Sequence, residues 1–472
     1  MSHWPLTPDD ITRPAYRSLA QGISAAIASG ALSAGTQLPT HRELAWKLNL
    51  SVQTVSRAYE ELIREDLITG EVGRGTFVKA RQGGPADVPW HRDTDGHRKA
   101  PIDMSNMSPV RLPEIEQAWR NSLVRVAEKL PPEAMYALRP AQVAARYGGM
   151  ASNWVARCGM VVPADRILLT NGVTPAMFVA LSAAATPGDV IATQSATGHP
   201  LKPVARHLML RLQGIEEDDQ GMIPEALVEA AKAAKGTMKA VYLLPTASGP
   251  HAYIMPRDRR AALAKAAEEA GIVIIESDPF GPLAPRRPPP VTSFAPDRSF
   301  YLTGMSKCLS PGLRLGFLVM PKSHAQRTRD RHLTVSWTAT PMMAEIATDW
   351  IDSGTADTVI AAQRAELAAR NRMAMRELGA AALGTLHGLH RWLPLPDGMR
   401  EEAMLDLALK NNVAVAAGST FSVSDPVPAV RICLGGPSRA DVAQGLRTIA
   451  SFLPTPSPSD VPKSELSRSK LS

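Results

Sequence analysis

Cysteine is scarce in this 472-residue chain: Cys158, Cys308 and Cys433 stand far apart and form no CxxC pair. That excludes a disulfide framework and gives no zinc-site spacing. The eleven histidines show no metal-ligand spacing either, so no metal is expected. The amino terminus, Met1 to Asp10, carries acids and prolines where a signal peptide needs a basic start and an apolar run. No stretch approaches the roughly 18 uninterrupted apolar residues of a membrane span. No internal repeat is present, and a cytoplasmic protein without a membrane partner is expected.

What is there is ordinary in bulk: 44% hydrophobic and 21% charged residues, enough to bury a large core. The length suggests about three folding units. The net charge of +7 is compatible with a polyanionic partner but does not identify one. Composition divides the chain more sharply. Residues 1–80 alternate short helical patterns and end Gly-rich, 81–105 are polar with Pro and Gly and read as a flexible linker, and 106–453 alternate apolar strand runs with amphipathic helices. Residues 454–472 are rich in Ser, Pro and Lys and read as a disordered tail. Strand runs such as 166–170, 189–193, 240–244, 271–276, 300–303 and 315–320, separated by Ala-rich helices, imply an α/β domain whose mainly parallel sheet is covered on both faces.

In the first segment, Leu19, Ile23 and Ile27 share one face of a helix expected over Ala15 to Ala28. Thr40 and Glu43 form a capping box that opens a short helix with Leu44, Ala45 and Leu48. Ser51 then caps a longer helix, Val52 to Glu65, whose stripe Val55, Ala58, Tyr59 and Leu62 is expected to be buried. Gln53, Thr54, Ser56 and Arg57 are left facing outward near its N-terminus, where a recognition helix meets base edges and phosphates. A hairpin follows, with Gly73 and Gly75 at a tight turn and Arg74 at its tip, a candidate minor-groove or phosphate contact. The pattern Leu38-Pro39, Arg42, Leu44-Ala45, Thr54-Val55, Arg57-Ala58-Tyr59, Leu62 and Gly73 to Val78 resembles the GntR family of winged helix-turn-helix regulators. The resemblance implies a double-stranded DNA operator as partner, with contacts from Arg42, Thr54, Arg57 and the Gly75 wing tip.

In the large segment, Ser306-Lys307 at a strand end, then Pro311-Gly312 and Arg314, suit capture of a phosphorylated aldehyde: an amine for the carbonyl, a guanidinium for the phosphate. Asp278, just past an apolar strand, can hold a pyridinium nitrogen protonated. Gly172, Val173 and Thr174 join a strand to a helix expected over Pro175 to Ala185, a phosphate cradle at a helix N-terminus. Arg431 lies on a late apolar strand, where it can receive a carboxylate. Together these positions resemble fold-type I, pyridoxal 5'-phosphate-dependent aminotransferases with a smaller C-terminal α+β subdomain. Behind a GntR-type head they resemble its MocR subfamily of regulators. The resemblance implies Lys307 as the lysine of the internal aldimine, with Ser306 beside it. It also implies Asp278 on the pyridine nitrogen, Arg314 with the Gly172–Thr174 loop on the phosphate, Arg431 as receptor of an amino-acid-like or amine effector, and a homodimer.

The family pattern breaks at named places. Gly249 stands where an asparagine is usual and Phe280 where a tyrosine is, so two hydrogen-bond donors to the cofactor's 3-oxygen are missing. The stacking aromatic would fall near Gly198, with His199 beside it as candidate replacement, and Gly304 takes the place of a phosphate-binding hydroxyl. Fewer donors mean a less preorganised ring and poor transamination, hence a sensor with no catalytic residue in use. The alternatives are an active aminotransferase with an appended DNA-binding head, and a regulator whose large domain binds another metabolite without pyridoxal phosphate.

Overall fold

The computed structural model describes residues 4–28, 32, 35–64, 67–71, 75–78, 102–136, 139–247, 249–424 and 427–454. The chain separates into two compact units, residues 1–87 and 88–472.

The first unit contains α1 (Ala15–Ala28), β1 (Gln37–Leu38), α2 (His41–Lys47), α3 (Val52–Arg64), β2 (Ile68–Glu71) and β3 (Gly75–Val78). The expected capping box forms: the Thr40 amide donates to Glu43 Oε2 at 2.8 Å, and the Glu43 amide donates to Thr40 Oγ1 at 3.3 Å. The Ser51 hydroxyl accepts from the Thr54 amide at 3.0 Å and starts α3. Leu19 and Ile23 of α1 pack with Leu44, Val55, Ala58, Tyr59 and Leu62, all buried, so the apolar stripes read from the sequence meet in one core. The buried Tyr59 hydroxyl donates to the Pro39 carbonyl at 2.8 Å, tying α3 to the turn before α2. Strand β3 pairs antiparallel with both β1 and β2, which builds the wing.

In the second unit, β4 (Ile102–Asp103) comes first. The central sheet uses β5 (Ile167–Thr170), β6 (Val190–Gln194), β7 (Arg211–Ile215), β8 (Met238–Leu243), β9 (Val273–Asp278), β10 (Ser299–Gly304) and β11 (Gly316–Val319), in the order β5-β11-β10-β9-β8-β6-β7. All neighbours are parallel except β11, which runs antiparallel to β10 and β5. The helix expected over 175–185 is α4 (Val173–Ala184), with Gly172 as its N-cap. It begins two residues early because Gly172, at φ 105°, adopts a conformation that costs other residues more and turns the chain straight into the helix. Strands β5, β6, β8, β9 and β10 all point their C-terminal ends the same way, the edge at which parallel sheets bind ligands.

The long α5 (Thr355–Leu378) leads to a smaller layer made by β12 (His390–Pro394), β13 (Val413–Ala414), β14 (Ala416–Ala417), β15 (Ala429–Cys433) and α6 (Arg439–Ala450). Its sheet order is β12-β15-β14, antiparallel throughout. Here the expected linker over 81–105 needs correction at its end. Ile102 and Asp103 pair in parallel with Val413 and Ala414, and Ile102 and Met104 are buried in the core of this layer. Two apolar residues alternating with polar ones were too short a run to stand out as a strand. The rest of that segment up to residue 101, and the tail from 455, lie outside the described residues.

Candidate functional site

At the C-terminal edge of the sheet lies a cavity with an open mouth, enclosing with that mouth roughly 870 Å³ of space between atoms. Seven candidate site residues named from the sequence line it: Val173, Thr174, His199, Ser306, Lys307 and Arg314, with Arg431 reaching in from the smaller layer. They come from β10's end, the start of α4, the loop after β6 and strand β15, so only the fold brings them together.

Lys307 follows β10 and its Nζ donates to the Met107 carbonyl. Burial drives its ammonium down from 10.5 to about 8, with Arg431 and Arg314 pushing the same way. Arg314 sits in the left-handed region at φ 44°, closing the turn Pro311–Leu313. An arginine held there is strained, a cost found where side-chain placement matters. Its guanidinium lies over Gly172: a methyl group on Gly172 would approach Arg314 Nη2 to 3.3 Å. The backbones of Gly172 and Gly316 also meet so closely that a Cβ on Gly316 would lie 2.5 Å from the Gly172 carbonyl carbon. The Arg314 guanidinium thus lies against the start of α4, an anion-binding arrangement, on a cavity that Ser306 also lines.

Gly304 has a structural reason. A Cβ there would lie 2.9 Å from both the Leu315 carbonyl oxygen and Val173 Cγ2, so a hydroxyl-bearing residue does not fit. At Gly198 the nearest atom to an added Cβ is Leu244 Cδ1 at 3.5 Å, an ordinary contact. His199 beside it packs edge-on to Phe421, with centroids 6.1 Å apart. Burial, with Arg431 and Lys307 nearby, holds its imidazole well below the usual histidine range, so it is neutral.

Two of the named residues, Gly172 and Asp278, do not line the cavity; Gly172 lies just behind it against Arg314, and Asp278 is buried beneath its wall. The neighbours of Asp278, namely Ser277, Pro279 and Phe280, line the cavity instead. The buried carboxylate accepts from Arg287, from the Tyr301 hydroxyl at 2.6 Å and from the Gly281 amide at 3.1 Å. Burial and Asp278 together push the Tyr301 phenol well above its ordinary value, so it remains a donor.

Arg431 donates through Nη2 to the Ser105 carbonyl at 2.9 Å, and its guanidinium lies 4.5 Å from the centre of the Phe421 ring. Ser105 and Met107 both belong to the segment that follows β4, so the reach of the expected linker extends into the site. Sequence reading missed His390, Met107 and Phe421. His390 carried a faint signal, a lone histidine within Leu389–Leu393 that the strand pattern left unexplained.

In the first unit, Arg42, Gln53, Arg57 and Gly75 are exposed, and Thr54 and Ser56 are half-buried. Arg57 lies over the Tyr16 ring with its guanidinium 4.4 Å from the centroid, which orients it without neutralising it. Gly75 has φ 117° and a Cβ there would strike Gln37 Nε2 at 2.6 Å. Arg74 lies outside the described residues. Among the described residues no helix is long and apolar enough to cross a membrane, and no cluster could hold a metal ion.

A winged helix-turn-helix head and a large domain of the fold-type I aminotransferase architecture define a DNA-binding regulator built on an enzyme fold. Comparison with known proteins agrees. Residues 15–78 match the family described as bacterial regulatory proteins, gntR family. The HTH-type transcriptional regulator YdeF of Bacillus subtilis is 28% identical over 95% of this chain and 96% of its own length. The vitamin B6 salvage pathway transcriptional repressor PtsJ of Salmonella typhimurium is 27% identical over 86% of this chain and 91% of its own. The pyridoxine biosynthesis transcriptional regulator PdxR of Corynebacterium glutamicum is 25% identical over 65% and 66%. The kynurenine aminotransferase of Pyrococcus horikoshii superposes with a TM-score of 0.70 at 22% identity, covering 78% of this chain and 95% of the enzyme. The chain thus carries a gntR-family DNA-binding domain at residues 15–78 and is similar over most of its length to HTH-type transcriptional regulators, with a second unit of the aminotransferase fold.

Proposed function

We propose that the cavity holds pyridoxal 5'-phosphate and reads an amine or amino-acid effector, and that its occupancy sets the operator affinity of the winged helix in a homodimer. The observation that carries this is a set of buried polar atoms with no hydrogen-bond partner among the described residues: Ser306 Oγ, His390 Nδ1 and Arg431 Nε all belong to residues lining this cavity. Buried polar groups left unpaired cost free energy, so their convergence calls for a polar occupant. The donor set fits this one. Arg314, Ser306 and the start of α4 suit a phosphate, Lys307 suits a carbonyl, and Arg431 suits a carboxylate. The names of the two vitamin B6 relatives support the same reading.

When bound, pyridoxal phosphate would supply a carbonyl that condenses with amines. The residues of this chain bind and orient. Burial of Lys307 keeps a reactive fraction of its amine unprotonated near neutral pH. Asp278, bonded to Arg287 and Tyr301 beneath the wall, fixes the floor formed by Pro279 and Phe280. Arg431 and Lys307 each donate to a carbonyl of the segment after β4, Ser105 and Met107 respectively. A ligand that draws either donor away frees those carbonyls, so occupancy acts on the stretch of chain that continues back toward the head. The test is operator binding by fluorescence anisotropy, using full-length protein loaded with pyridoxal phosphate and a panel of amines and amino acids. The reading expects at least one to change operator affinity in the parent and to lose that effect in Arg431→Gln. An operator affinity unmoved by every member of the panel contradicts it.

A further inference from the structure

His390 has no role in the reading so far, yet its chemistry is constrained. It begins β12, is fully buried and lines the cavity. Its Nε2 faces two acceptors, the carbonyls of Gly249 at 3.1 Å and Pro250 at 3.0 Å. Two acceptors on one side fix the proton on Nε2. Burial, reinforced by the charge on Arg431, lowers the imidazole to about 3, so no second proton is available at neutral pH. Nδ1 is then a lone pair, and among the described residues no donor reaches it. The ring is held in place: it packs edge-on to Phe280, with centroids 6.4 Å apart. A neutral, oriented, unpaired acceptor next to the cationic Arg431 is a complementary pair of recognition groups, one for an anion and one for a donor.

We propose that His390 determines specificity in this cavity: its occupant presents a hydroxyl or N–H group that donates to His390 Nδ1, beside the carboxylate received by Arg431. This rests on the cavity being the ligand site, as proposed above. The donor has two sources, the ring hydroxyl of pyridoxal phosphate or the side chain of the amino-acid effector.

The test uses full-length protein, His390→Phe and His390→Gln, the last keeping both donor and acceptor. Melting curves and operator binding establish that each variant is folded. Pyridoxal phosphate is titrated by visible absorption. Loaded protein is then titrated with L-serine against L-alanine and L-threonine against L-2-aminobutyrate, following displacement of the visible band. If the effector supplies the donor, the hydroxyl-bearing member of a pair binds about tenfold tighter to the parent, the scale of one hydrogen bond. His390→Phe abolishes that ratio and His390→Gln retains part of it. If the cofactor supplies the donor, His390→Phe weakens pyridoxal phosphate about tenfold and leaves the amino-acid ratios alone. A folded His390→Phe that changes neither overturns the proposal. If the parent takes up no pyridoxal phosphate, the cofactor reading fails separately. The amino-acid pairs are then compared by thermal shift on the cofactor-free protein, where absence of a hydroxyl preference, or its survival in His390→Phe, likewise overturns the role of His390.

Discussion

The depressed ammonium of Lys307 makes a quantitative demand on how fast the protein captures pyridoxal phosphate. An ordinary lysine titrates at 10.5 and Lys307 at about 8, a difference of about 2.5. At neutral pH about a tenth of Lys307 is the free amine, roughly 300-fold more than for an unperturbed lysine. The capture rate should rise with pH and level off near pH 8, because above that value the amine is already neutral. Stopped-flow absorption from pH 6 to 10.5 reads this directly. The same shift bears on stability. The folded value of this base lies below the unfolded one, so the penalty of burying the ammonium is fully present below pH 8 and relieved as pH rises to 10.5. Parent and Lys307→Met should therefore diverge, in the parent's favour, by up to about 3 kcal/mol across that interval when unfolded in urea. A capture rate still climbing through pH 10, together with a constant stability difference between the two proteins, would show that the cavity does not tune this lysine.

Other expectations are simpler to read. Thr40→Ala removes the α2 capping box and should cost about 1 kcal/mol of stability, measured by melting of the full chain with operator binding as a second readout. Arg57→Ala should weaken operator binding across sequences and lower the slope of log affinity against log salt by about one. An unchanged salt slope would place Arg57 off the phosphates. Gly316→Ala forces a Cβ against Gly172 and should loosen the Arg314 turn, weakening pyridoxal phosphate uptake by tenfold or more. A broad amino-acid panel should show no multiple turnovers by transamination, since Phe280 carries no hydroxyl and Gly249 no side chain; turnover at ordinary enzyme rates would make the large domain a working enzyme.

The head was the most legible part, because each of its signals is local. The Thr40–Glu43 box, the Ser51 cap and the period of Val55, Ala58, Tyr59 and Leu62 need only a few residues to state themselves, and each recurs in the structure. Strands β5, β6, β8, β9, β10 and β11 were legible as apolar runs, since a strand covered on both faces of the sheet needs no polar alternation. Edge strand β7 was not: Arg211 and Gln213 interrupt its apolar residues because that edge meets water. At the site, Lys307, Arg314 and the loop at Gly172 were marked by sequence spacing. Asp278 was marked too, but its buried partners Arg287 and Tyr301 were silent. His390 and the carbonyls of Ser105 and Met107 are tertiary facts. They act through backbone atoms and a packing neighbour more than a hundred residues away, which no local pattern encodes.

The most direct measurement is the visible absorption spectrum of the purified full-length protein after incubation with pyridoxal phosphate and removal of free cofactor, beside Lys307→Ala treated identically. A retained band in the parent that is absent from the variant is the expected result and ties the cofactor to Lys307. A parent without a band, or a variant with the same one, contradicts the account of the cavity while leaving the DNA-binding head untouched.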